Sequence, residues 1–126
     1  MTKNFKRSEF MCKCGCGLDN ISPKLVNMLQ QVRDIIGKPM NITSGCRCRT
    51  HNAKKSVGGK PDSAHLPNKD GVCLAADIAC RSGKPLFEML DAVRKVGFRR
   101  IGINFNIHFI HVDIDETKVQ DVIFKY

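Results

Sequence analysis

The chain has four histidines, at positions 51, 65, 108 and 111, and three of them fall where nearby carboxylates could share a metal ion with them. His65 follows Ser63 in a polar loop, and Asp77 lies in the apolar stretch after that loop. His108 and His111 lie on the last long apolar segment, with Asp113 two residues beyond His111. Zinc accepts imidazole nitrogen and carboxylate oxygen in a tetrahedral shell. Three protein ligands leave the fourth position for a water, whose pKa falls to about 7. A strand's period of two puts His111 and Asp113 on one face and His108 on the other unless a bulge intervenes. Spacing alone goes no further, because an isolated loop histidine is more often a surface or hydrogen-bonding residue than a ligand. His51, next to Asn52, reads as a capping or packing residue.

The second chemical feature is a set of seven cysteines. An odd number cannot all pair within one chain. Cys12, Cys14 and Cys16, together with Cys46 and Cys48, allow two readings. One is a second, structural zinc held by thiolates, with Cys-x-Cys spacing in place of the commoner Cys-x-x-Cys. The other is reduced thiols, with one disulfide tying the arm to the 46–48 segment in an oxidising exterior. The second reading is preferred. Cys73 and Cys80 flank the Asp77 segment and read as core packing.

The elements that must position these groups fit in one ordinary domain of 126 residues, with residues 1–21 a Cys-rich arm. Hydrophobic content of 42% and charged content of 26% exclude wholesale disorder and fibrous architecture. Ser22-Pro23 opens a helix carrying Leu25, Met28, Leu29, Val32, Ile35 and Ile36 at helical spacing, and Gly37 closes it. Met40–Ser44 reads as a short strand, residues 50–56 as one or two helical turns, and 60–71 as a loop. Leu74–Cys80 is a second strand. A second helix spans about 85–96 and ends at Gly97; strands at 100–105 and 107–115 follow, joined by a tight turn. The expected fold is α+β, a small antiparallel sheet of four to five strands with two main helices.

The segments Ser63-Ala-His65, Ala75-Ala76-Asp77-Ile78 and Phe109-Ile-His111-Val-Asp113 resemble the zinc D-Ala-D-Ala carboxypeptidase family of peptidoglycan peptidases, particularly its small phage and bacterial members. The similarity extends, in the same order, to Phe10-Met-Cys12-Lys-Cys14-Gly-Cys16-Gly17, to Thr43 through Asn52, to Val57-Gly58-Gly59, and to Gly102. It covers about residues 8–115. That family shares its metal-centre architecture with lysostaphin-type peptidases and the hedgehog signalling domain.

The resemblance implies one catalytic zinc held by His65, Asp77 and His111. It implies that Arg47 orients substrate and stabilises the developing oxyanion, and that Ser63 hydrogen-bonds substrate or a neighbouring loop. It offers two residues for the general base, His108 and Asp113, the latter also as an orienting partner of a ligand histidine. Residues 66–76 between the first His and the Asp are a longer stretch than the family usually has, which reads as a loop insertion.

The expected activity is therefore hydrolysis of a stem-peptide bond next to a D-amino acid, as carboxypeptidase or as endolysin-type endopeptidase. The alternative is a non-catalytic zinc-fold module binding cell-wall or protein partners. The net charge of +9 suits anionic cell-envelope polymers. Specific nucleic-acid binding is not expected, because the basic residues are scattered and no aromatic stacking platform accompanies them. No apolar run reaches membrane-spanning length, and no signal-like apolar stretch follows the basic N-terminus. The expectation is a monomer made in the cytoplasm that acts on the cell wall after release.

Overall fold

The computed structural model describes residues 1–126. Its main helices are α1 (Pro23–Ile36) and α3 (Lys84–Val96), with a short α2 (Arg49–Asn52) between them. The strands are β1 (Ile42–Ser44), β2 (Ala75–Ala79), β3 (Arg100–Asn104), β4 (Phe109–Asp113) and β5 (Val122–Lys125). They form one five-stranded sheet in the order β1-β2-β4-β3-β5. The fold is α+β, as expected.

Local chemistry explains the helices. Ser22 Oγ accepts the Leu25 N–H at 3.2 Å and Pro23 occupies the first turn of α1, while Gly37 closes it at φ 70°. Leu25, Val26, Leu29 and Val32 form the buried stripe. α3 buries Met89, Ala92 and Val93 and ends at Gly97 with φ 109°.

The period of two divides the sheet's faces between packing and chemistry. Ala76 and Ile78 of β2, Ile110 and Val112 of β4, and Ile101 of β3 join the helix stripes in one core. The alternate residues, Asp77, His111, Asp113, Arg100 and Gly102, therefore lie on the face away from the helices. No helix is long and apolar enough to cross a membrane.

The structure corrects the sequence reading in three places. The last long strand starts at Phe109, not Ile107, and residues 105–108 form the turn of the β3–β4 hairpin. Asn104 Oδ1 accepts the N–H groups of Asn106 and Ile107, at 2.9 and 3.0 Å, and His108 takes a left-handed φ of 58°. His108 thus sits in a turn and is exposed. The sheet gains β5, which pairs in parallel with β3, so it is mixed at that edge and antiparallel elsewhere. The N-terminal arm is also no loose appendage: Phe5, Phe10 and Cys12 are buried, and residues Arg7–Phe10 form a 3₁₀ turn.

The arm lies directly on the segment after β1. The Cys46 N–H donates to Phe10 O at 2.8 Å, and a Cβ on Gly45 would lie 2.7 Å from the Phe10 Cα. The obstacle is backbone, which cannot swing aside. Gly45→Ala is expected to lower unfolding stability by about 1–3 kcal/mol, read as a lower urea midpoint at unchanged slope.

Candidate metal centre

Asp77 on β2 lies opposite His111 on β4 in the antiparallel register. His65 reaches them from the turn before β2. That turn is held by the Leu74 N–H on Ala64 O at 3.1 Å and by the Arg47 N–H on His65 O at 2.9 Å. Ser63 Oγ accepts the N–H of His65 at 3.1 Å, so this hydroxyl shapes its own turn.

The outer partner of each histidine assigns its tautomer. His65 Nδ1 lies 2.6 Å from Gly45 O, and a carbonyl oxygen can only accept, so Nδ1 carries the hydrogen. His111 Nε2 lies 2.7 Å from Asp113 Oδ2 and donates to that carboxylate. The remaining ring nitrogens turn towards Asp77 Oδ1. His65 Nε2 is 3.1 Å from it, His111 Nδ1 is 2.9 Å from it, and the two nitrogens are 3.2 Å apart.

When both imidazoles are neutral, three lone pairs thus face one another. A single cation, proton or metal ion, relieves the repulsion. Zinc–nitrogen bonds of about 2.0–2.1 Å around a tetrahedral ion separate ligand atoms by roughly 3.3 Å, close to the spacing here. The donor set fits a borderline divalent metal, and His65, Asp77 and His111 are the residues that could hold it.

The electrostatics are those of a buried site, with His65, Asp77 and His111 only 1%, 3% and 4% exposed. Burial pushes the His65 imidazole down, so it is neutral near pH 7. Burial also presses on His111, but its hydrogen bonds to Asp113 and Asp77, and their charges, outweigh that, and it holds a proton above its ordinary value of 6.5. For Asp77, burial is outweighed by the two histidines beside it, which keep the carboxyl far below the usual carboxylate range.

Asp113 stands behind His111. Its Oδ1 accepts Arg100 Nε at 2.8 Å and the Asp115 N–H at 3.1 Å, while Oδ2 holds His111. With both oxygens engaged and the side chain buried, Asp113 fixes the tautomer of His111 and raises its basicity as a ligand. Asp113→Asn, which keeps the shape and removes the charge, is expected to weaken metal binding about 10–100-fold. Competition against a chromophoric chelator measures this, and unchanged affinity would remove Asp113 from that role.

Arg47 spreads its guanidinium over three partners: Nε on Ser44 Oγ at 3.0 Å, Nη1 on Asn52 Oδ1 at 3.1 Å and Nη2 on Asp77 Oδ2 at 3.2 Å. Asn52 is buried and is itself anchored through its amide on Lys60 O at 2.8 Å. His108 stands apart, its imidazole making no hydrogen bond to this cluster. His51 also lies outside it.

Sequence reasoning missed Asn52 as an anchor for Arg47, Arg100 as the counter-charge of Asp113, and the aromatic residues of the β5 edge. The rings of Phe124 and Tyr126 lie 5.7 and 6.1 Å from that of His111. Gly102 makes room for them, since a Cβ there would come within 2.5 Å of Phe124 Cε2. Burial and the charge of Asp77 push the Tyr126 phenol up, so it stays a hydrogen-bond donor near neutrality. The one available signal was Gly102 itself, a glycine inside a strand.

Comparison with known families gives one match: the family model described as Peptidase M15 matches residues 3–113, a span that contains His65, Asp77, His111, Asp113 and Arg47 and stops short of β5. No curated protein and no solved structure matches the chain.

Proposed function

The chain belongs to the peptidase M15 family of zinc D-Ala-D-Ala carboxypeptidase-like metallopeptidases, and from that premise we propose that it hydrolyses a peptidoglycan stem-peptide bond adjacent to a D-amino acid, with one zinc ion held by His65, Asp77 and His111. The observation that carries this reading is the convergence of three buried metal-ligating atoms, His65 Nε2, Asp77 Oδ1 and His111 Nδ1, at 2.9–3.2 Å from one another. When bound, zinc supplies Lewis acidity, polarising the scissile carbonyl and acidifying a water.

The chain's own residues do the rest. Asp113 holds His111 in the metal-binding tautomer, and the Gly45 carbonyl does the same for His65. Arg47 uses three of its five N–H groups on Ser44, Asn52 and Asp77 and keeps two for the substrate carbonyl, where negative charge develops. Its positive charge is fixed in place before substrate arrives. Of the two residues expected to carry a proton, Asp113 is buried with both oxygens engaged, whereas His108 is exposed and unengaged. On the family resemblance we assign to His108 the role of taking the proton from water and passing it to the leaving amine. The Tyr126 hydroxyl, protonated near neutrality, adds a donor on the same face.

A groove runs beside the His65 turn, between the inserted loop and the segment after β4, lined by Ser63, Asn68, Lys69, Asp115, Thr117 and Lys118. Its mixed charge suits a stem peptide, which carries both amines and carboxylates. The charge of +9 supports an endolysin-type role in which attraction to anionic envelope polymers localises the enzyme.

The metal requirement has a pH signature. His65 is already neutral near pH 7, whereas His111 must give up a proton held above its ordinary 6.5. Below the raised value the proton competes with the metal. The zinc concentration that restores half of the activity to chelated protein should therefore rise about tenfold per pH unit on the acid side and level off on the alkaline side. A flat dependence would contradict the His111 assignment.

The test of function is mass analysis of muropeptides after incubation with the zinc-loaded protein, with and without chelator. The expected result is new stem-peptide fragments that carry one additional water per cut and disappear with chelation. A non-catalytic wall-binding module would leave the masses unchanged.

A further inference from the structure

A second cluster of metal-ligating side chains lies outside this site. The Sγ atoms of Cys12, Cys14, Cys16 and Cys48 all lie within 4.8 Å of one another. Cys12 and Cys14 are 3.5 Å apart, and Cys14 and Cys48 are 3.6 Å apart. Four thiolates around zinc at about 2.3 Å are separated by about 3.8 Å, so the cluster needs only small adjustment to close on an ion. None of the four is in a disulfide.

Two further features point to charge on the sulfurs. The Cys48 N–H is directed at Cys12 Sγ and the His51 N–H at Cys48 Sγ, each at 3.4 Å. Backbone N–H groups aimed at sulfur stabilise thiolate over thiol and tune metal–thiolate sites. The loop is also folded back on itself, with the Cys12 N–H on Leu18 O at 2.8 Å and left-handed φ values of 86° and 87° at Gly15 and Gly17. An added Cβ at either glycine would meet nothing, so the glycines serve the backbone path that gathers the three arm sulfurs.

The sequence reading placed Cys46 with this set and preferred plain thiols. The structure separates Cys46, which is buried and lies outside the cluster of the other four. Four cysteines remain, the number that fills a tetrahedral shell.

We propose that Cys12, Cys14, Cys16 and Cys48 form a closed, four-thiolate structural zinc site that fastens the N-terminal arm to the segment carrying Arg47. With every position filled by sulfur, the site has no opening for substrate and its role is mechanical. It clamps a short stretch of backbone on which the candidate catalytic centre depends. Cys48 directly follows Arg47, the Cys46 N–H is tied to Phe10 O, and the Gly45 carbonyl fixes the tautomer of His65.

The experiment is metal analysis and cobalt(II) substitution of the full chain and two double variants. The protein as isolated should hold two equivalents of zinc, one per cluster. Cys14→Ser/Cys16→Ser, which changes two exposed side chains, should lose one equivalent and keep the other. His65→Ala/His111→Ala should also keep one. With cobalt(II), sulfur-to-metal charge-transfer absorption in the near ultraviolet should appear in the full chain and in His65→Ala/His111→Ala, and vanish in Cys14→Ser/Cys16→Ser. No sulfur–cobalt absorption in the full chain would overturn the proposal. So would unchanged metal content in the cysteine variant, or a disulfide among the four found by non-reducing mass analysis. The proposal stands or falls apart from the peptidase reading: sulfur–cobalt bands in a protein inactive on peptidoglycan would support this site while refuting that activity.

Discussion

His111→Ala is expected to empty the candidate metal centre and lower kcat on stem peptides by at least about 10³-fold. Lewis-acid stabilisation is worth several kcal/mol, and each 1.4 kcal/mol is tenfold in rate. The substitution removes one of three converging lone pairs and leaves the Asp77 and Asp113 carboxylates without the imidazole that bridges them. Zinc content and kcat should fall together. Far-ultraviolet circular dichroism checks the fold independently, because the helix stripes and the opposite sheet face do not involve His111. A variant that loses zinc yet keeps wild-type kcat would sink the assignment.

Arg47→Ala should behave differently. Its zinc content should stay near that of the parent, while kcat falls about 10²–10³-fold, the cost of removing one preorganised donor from a developing oxyanion. Arg47→Lys should recover little. The guanidinium places separate N–H groups on Ser44, Asn52 and Asp77, a three-way geometry that a single ammonium cannot reproduce. If Arg47→Lys matched the parent, a diffuse positive charge would suffice and the fork would have no special role. An increase in KM with kcat unchanged would instead mean that Arg47 binds ground state and transition state alike.

How much of this was legible in the sequence depended on how local each feature is. α1 announced itself through Ser22-Pro23, a helical stripe and Gly37, all of which act within a turn of the chain. The pairing of His111 with Asp113 followed from strand alternation, and the structure places them 2.7 Å apart. The start of β4 was misread because Ile107, His108 and Phe109 continue the apolar run, while the decisive signal is a single side chain, Asn104, capping the turn. β5 was invisible because a four-residue strand pairing in parallel with β3 is recruited by a distant partner. With it went Phe124 and Tyr126, which flank His111. The link from Arg100 to Asp113 depends on the β3–β4 register, which composition does not encode. The family resemblance rested on motifs whose residues the fold then gathered at one place: His65, Asp77 and His111 are far apart in the chain and within hydrogen-bonding distance in space.

The measurement that bears most directly on the central claim is a zinc titration of the chelated full chain beside its His65→Ala/His111→Ala variant, with amine release from purified peptidoglycan followed at each addition. Hydrolysis should be absent without metal and rise with added zinc in the full chain, while the variant lacking two ligands of the His65–Asp77–His111 cluster stays inactive at every addition. Full hydrolysis by the metal-free protein, or zinc uptake at that cluster with no amine released, would contradict it.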